Sequence, residues 1–79
     1  MSSWWTEYSQ ESANYLEDNT QLVAHLYFAL EALDDKAVPG ELEVRPGLHI
    51  AIIEGHVVAF VRDITWKIIR IMSIKPPAG

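Results

Sequence analysis

The chain has no cysteine among its 79 residues, so neither a disulfide framework nor a thiolate metal site can hold it together. It has no apolar run approaching the roughly 20 residues needed to cross a bilayer. Its first residues, Met1-Ser2-Ser3-Trp4-Trp5, bring neither the basic stretch nor the long apolar segment of a signal peptide. The expectation is a soluble, cytoplasmic protein with no membrane contact, a setting that the lack of cysteine suits. Gly-rich phosphate loops and nucleophile elbows are missing too. So are internal repeats, low-complexity tracts and linkers, and the length fits one domain, 1–79. The three histidines, at 25, 49 and 56, have no recognised metal-ligand spacing, so no metal and no cofactor is expected.

Bases are also scarce. Six Lys and Arg face eleven Asp and Glu, for a net charge of −5, which weighs against binding nucleic acid through a broad basic surface. The imbalance is uneven along the chain. Eight acids fall within the first 41 residues: Glu7, Glu11, Glu17, Asp18, Glu31, Asp34, Asp35 and Glu41. Five bases follow them: Arg45, Arg62, Lys67, Arg70 and Lys75. An acidic half is joined to a basic half.

What is present is apolar and aromatic: 49% hydrophobic residues, with three Trp, three Tyr and two Phe. A chain this short buries only about 60% of the surface it exposes when unfolded, so that core must be efficient or a partner must add to it. Trp4, Trp5 and Trp66 are expected chiefly in the core.

Trp4 to Tyr8 predicts a short strand. Ser9 offers an N-cap to a first helix, with Ser12 in place of the Glu that would complete a capping box, and Glu11 placed to favour the dipole. Asn19 and Thr20 mark a cap or a kink. From Thr20 to Lys36, Leu22, Val23, Leu26, Ala29, Leu30 and Leu33 recur at helical spacing, until Pro39-Gly40 stops the pattern. Beyond a short candidate strand at 41–45, the segments 48–54, 56–63 and 66–74 are β-branched runs. Glu54-Gly55 and 63–65 separate them as tight turns. The predicted fold is α+β: an N-terminal strand, two helices, then a three-stranded antiparallel meander forming one small sheet, with both helices packed on one face.

The stretches WWTEYS (4–9) leading into SANYLEDN (12–19), LVAHLYFALEAL (22–33), LHIAIIEGHVVAFVRD (48–63) and WKIIRIMSIKP (66–76) follow one another as they do in the RelE/ParE toxins of bacterial type II toxin–antitoxin pairs. The chain resembles that family over nearly its whole length. The resemblance implies a growth-inhibiting toxin neutralised by a cognate antitoxin protein. The target is either DNA gyrase, bound without nuclease chemistry, or the ribosome, where mRNA is cut. RelE-like nucleases work from the sheet face opposite the helices, commonly with an arginine in the middle strand and a basic-aromatic tail. Here the middle strand carries Val57 and Val58, and the tail from Ile74 has no Tyr, His or Arg.

Metal-free RNA cleavage needs a base for the 2′-hydroxyl, cations for the phosphate and an acid for the leaving oxygen. A two-residue turn at Glu54-Gly55 pairs Ile53 with His56, Ala51 with Val58 and His49 with Phe60, placing His49, His56, Phe60 and Arg62 on one face. A three-residue loop at 63–65 adds Arg70 to that face. The candidate catalytic set is therefore His49, His56, Arg62 and Arg70, with imidazole as acid or base and guanidinium holding phosphate. Ordinary polar residues on a solvated face are the plainer reading. His25 is expected as a helix-surface residue. Three functions stay open: a gyrase-binding toxin, a ribosome-dependent mRNA endoribonuclease with an unusual site, and a non-toxic relative serving as an interaction module. A homodimer through the aromatic N-terminal strand is a further arrangement left open.

Overall fold

A computed structural model describes residues 3–76. The elements run β1 (Trp5–Tyr8), α1 (Gln10–Asp18), α2 (Ala24–Glu31), β2 (Leu42–Arg45), β3 (Leu48–Ile53), β4 (His56–Asp63) and β5 (Ile68–Lys75). The architecture is α+β, with one sheet and two helices. The sheet has five strands in the order β1-β5-β4-β3-β2, rather than a first strand with a three-stranded meander. β2 to β5 are antiparallel neighbours, whereas β1 pairs with β5 in parallel. Among the described residues no helix is long and apolar enough to cross a membrane.

Local chemistry explains most element ends. Ser9 caps α1: its Oγ accepts the Ser12 amide at 3.2 Å and donates to the Met72 carbonyl at 2.8 Å. One side chain thus starts the helix and fastens it to β5. Asn19 closes the other end by donating from Nδ2 to the Tyr15 carbonyl at 2.8 Å.

The second helix is shorter than its periodicity predicts. Val23 stands at the N-cap with no side-chain bond, and the Leu22 and Val23 amides bond the Asn19 carbonyl in a turn, so the regular helix starts only at Ala24. At the other end the Leu33 amide bonds the Leu30 carbonyl, which tightens the last turn. Asp34 and Asp35 then oppose the helix dipole, and the Asp34 carboxylate accepts the Lys36 amide instead. Val23, Leu26, Leu30 and Leu33 are nonetheless all buried against the sheet.

The β3–β4 hairpin has the expected register, with Ile53 opposite His56 and His49 opposite Phe60. Glu54 and Gly55 have φ of 49° and 77°, the left-handed pair of a type I′ turn. Glutamate has no local bond that favours that region, whereas asparagine tolerates it well. Glu54→Asn is expected to stabilise the fold by about 0.5–1 kcal/mol, raising Tm by about 4 °C in a thermal melt. An unchanged or lower Tm would mean that the Glu54 carboxylate contributes more than the turn strain costs.

The next connection overturns an expectation. Asp63 pairs with Ile68, so the loop holds four residues, 64–67, and not three. That one residue turns Ile69 and Ile71 inward and Arg70 outward. An irregularity opposite Ala59 and Phe60 sets Met72 out of register and returns Ile74 to the core.

The core lies between the helices and one sheet face. Leu16, Leu26 and Leu30 meet Val58, Phe60, Ile69 and Ile71 there. Two tryptophans depart from the core expectation, because Trp5 lies 67% exposed and Trp66 lies 73% exposed. Strand alternation sends Trp5 to the side away from the helices, and Trp66 sits in the 64–67 turn. Trp4 packs against the core.

Candidate functional site

Three of the four candidate residues do share a face. His49, His56 and Arg62 alternate with outward residues on β3 and β4, as the hairpin register requires. It is the face that the helices cover, not the open one. The reason lies in the alternation itself: Ala51, Ile53, Val58 and Phe60 belong to the same rows, and their burial draws the polar members inward. Arg70 is on the opposite face.

Arg62 is the most heavily engaged side chain. Its Nη1 and Nη2 reach Glu41 Oε2 and Oε1 at 2.6 and 3.0 Å, a bidentate pair. Nε donates to the Asp34 carbonyl at 2.7 Å and Nη2 to the Lys36 carbonyl at 3.2 Å. Both partners are nearly sealed, at 7% exposure for the Arg62 side chain and 5% for Glu41. The guanidinium also lies over the Phe60 ring, 5.3 Å from its centroid. The Arg62 contact holds the Glu41 carboxyl below the usual carboxylate range against the opposing effect of burial.

His49 completes this cluster. Its ring stacks on Phe60 at 5.5 Å, and Nδ1 lies 2.9 Å from Glu41 Oε2. The approach is close enough for charge contact yet misaligned, so Nδ1 makes no true hydrogen bond. Together Glu41, Arg62, His49 and Phe60 clasp the loop after α2, and the chain entering β2, to the middle of the sheet.

His56 sits at the other end of the same face and is buried. Nδ1 donates to the Glu54 carbonyl at 2.9 Å, and Nε2 lies 3.1 Å from the Tyr15 hydroxyl. Since the carbonyl can only accept, Nδ1 carries the proton of that bond, and the Tyr15 hydroxyl pairs with Nε2. The imidazole joins the hairpin turn to α1. Arg70, on the open face, donates to Asp63 at 2.8 Å and approaches Glu7 at 3.5 Å. Arg70 in turn lowers the Asp63 carboxyl below its ordinary range.

The four candidates therefore form three separate structural groups and no common site. An attacking hydroxyl and a phosphate would have no shared space between them. Sequence reasoning missed the residues that complete each group: Glu41, Tyr15, Asp63 and Glu7. Their contacts to the candidates span 7 to 63 positions of chain, and no spacing along the sequence joins them. His25 is exposed on α2, as expected.

Two apolar surfaces remain open. One is a cleft of about 400 Å³ between the helices, lined by Leu16, Val23, Ala24, Tyr27 and Phe28 with the stems of Glu17 and Thr20. At its rim Tyr27 stacks on Tyr8, whose hydroxyl donates to Glu31. Burial and the neighbouring Glu31 carboxylate both raise the Tyr8 pKa, so the phenol stays protonated. The other surface is the sheet face away from the helices. No family model, curated protein or solved structure matches the chain.

Proposed function

We propose that this chain works by binding protein, as the toxin of a RelE/ParE-like toxin–antitoxin pair that inhibits an essential target such as DNA gyrase without cutting RNA. The observation that carries this reading is the commitment of its candidate cations. Arg62 is sealed against Glu41, and Arg70 is held between Asp63 and Glu7. A guanidinium already neutralised in a buried pair has no charge to offer a phosphate, and withdrawing it would strand the carboxylate. The imidazoles are enclosed as well, one against the α1 tyrosine and one within the Glu41 clasp.

Protein recognition needs none of these groups. It needs exposed apolar anchors, and Phe28 supplies one on α2 with Leu22 in the turn before it. The cleft between α1 and α2 suits the apolar side of an antitoxin segment, inserted as anchors spaced along a helix.

Two assays on the purified chain separate the readings. Added to DNA gyrase, it is expected to abolish supercoiling; added to a cell-free translation reaction, it is expected to leave mRNA intact by primer extension. Codon-phased cuts that vanish on His49→Ala would overturn the proposal in favour of a ribosome-dependent nuclease. Intact mRNA together with normal supercoiling would leave a non-toxic interaction module.

A further inference from the structure

An antiparallel sheet with helices on one side ordinarily alternates apolar residues inward with polar residues outward. This sheet does not. The outward rows of β2, β3 and β4 bring together Leu42, Leu48, Ile50, Ile52, Val57 and Val61. Ile52 is 70% exposed, and Leu42 and Val57 are open as well. Strands apolar on both faces are the signature of a sheet buried on both faces, and here one side has no cover.

The size and charge of the face say what fits it. Five strands at about 4.8 Å spacing and about six residues at 3.3 Å rise give a footprint of roughly 500 Å². Two such faces together reach the roughly 1,000 Å² that a specific interface needs. A single helix, about 10 Å across, would leave more than half of the face wet. The matching occupant is broad, flat and apolar, which describes the same face on another copy.

Charge selects the same orientation. The helices α1 and α2 carry Glu11, Glu17, Asp18 and Glu31 and no Lys or Arg. The open face carries Glu7 and Asp63 against Arg70, with Arg45 at its β2 edge and Lys75 opposite Val57, so it holds no excess of acids. Meeting through the sheets puts the acidic helix layers about 30 Å apart, well beyond a Debye length of about 8 Å at physiological salt. Meeting through the helices would press like charges together in a chain of net charge −5.

We infer that the open sheet face seats a second copy of this chain, giving a two-fold dimer in which two five-stranded sheets pack as a sandwich. The dimer is independent of the toxin reading, since its test uses the isolated protein and no target.

Sedimentation velocity at tens of micromolar is expected to show a species of twice the 9.0 kDa chain mass. Ile52→Lys, an exposed position, is expected to weaken association at least about 100-fold, while Phe28→Lys in the helix cleft leaves the dimer intact. A chain that is monomeric throughout would overturn the inference and assign the face to another molecule. Dissociation by Phe28→Lys but not by Ile52→Lys would overturn it too, as would a dimer indifferent to both. Single cysteines give a second readout that needs no disruptive charge, because the native chain has none. A thiol at Ile52→Cys, as exposed in the isolated chain as one at Phe28→Cys, is expected to react with maleimide about 10-fold more slowly than it, with the difference lost on dilution. Equal rates at both positions would again exclude the sandwich.

Discussion

Arg62→Ala is expected to remove a large part of the domain's stability. The change removes one member of a buried, bidentate ion pair and leaves the Glu41 carboxylate enclosed without a counter-charge. Breaking such a pair costs about 3–5 kcal/mol, a large share of the roughly 4–12 kcal/mol total for a chain of this length. The Asp34 and Lys36 carbonyls lose their donor in the same step. Urea denaturation followed by tryptophan fluorescence would measure the loss. A change below about 1 kcal/mol would mean that water already reaches the pair. Adding Glu41→Leu to Arg62→Leu removes both charges and should recover part of the stability, though not the part owed to the two carbonyls.

The same pair gives a pH dependence. The Glu41 carboxyl is held below its unfolded value, with the hydrogen bond from Arg62 as the largest cause. Its contribution is therefore complete above the ordinary carboxylate range, near pH 4.3, and disappears as pH falls through the lowered value. Wild-type Tm should fall steeply across that acid window, and a folded Glu41→Gln variant should show a shallower slope. Asp63 contributes in the same direction through Arg70, but that pair lies at the surface with Arg70 partly open to water, and about 1 M salt would screen it. The slope that survives high salt is the one assigned to Glu41.

Phe60→Ala should rank beside Arg62→Ala. Phe60 is fully buried, and its ring supports the whole clasp, with His49 stacked on it and the Arg62 guanidinium over it. Loss of the ring opens a core cavity worth about 3–5 kcal/mol and removes the surface that aligns the ion pair. Phe60→Leu keeps most of the volume and should cost only about 1–2 kcal/mol. Because Phe60 and Arg62 are in contact, the two alanine substitutions should be non-additive in a double-mutant cycle. Strict additivity would show that the ring fills space without supporting the guanidinium.

Much of the fold was readable along the chain, because the controlling physics is local. Ser9 caps α1 through its own hydroxyl and an amide three positions on, and Glu54-Gly55 fixes the hairpin register through two residues. Stripes of Val23, Leu26, Leu30 and Leu33 mark a buried helix face whatever lies opposite. The misjudged ends of α2 show the limit of periodicity: apolar spacing runs from Leu22 to Leu33, but the helix lacks a side-chain cap and starts only at Ala24, and it closes at Glu31 ahead of Asp34-Asp35.

The candidate site was less legible. Strand alternation placed His49, His56 and Arg62 on one face, but alternation carries no sign, and only the docked helices decide which face is inside. Arg70 changed sides because the connection before β5 has one residue more than a tight turn suggests, and a slip of one residue inverts every side chain beyond it. Sequence alone determined the element types, the central hairpin register and the division into acidic and basic halves, since each depends on neighbours a few residues apart. Tertiary structure alone decided that Arg62 meets Glu41, that β1 lies parallel to β5 and that one apolar sheet face stays uncovered. Those outcomes depend on groups distant in sequence meeting in space, and no spacing along the chain encodes them.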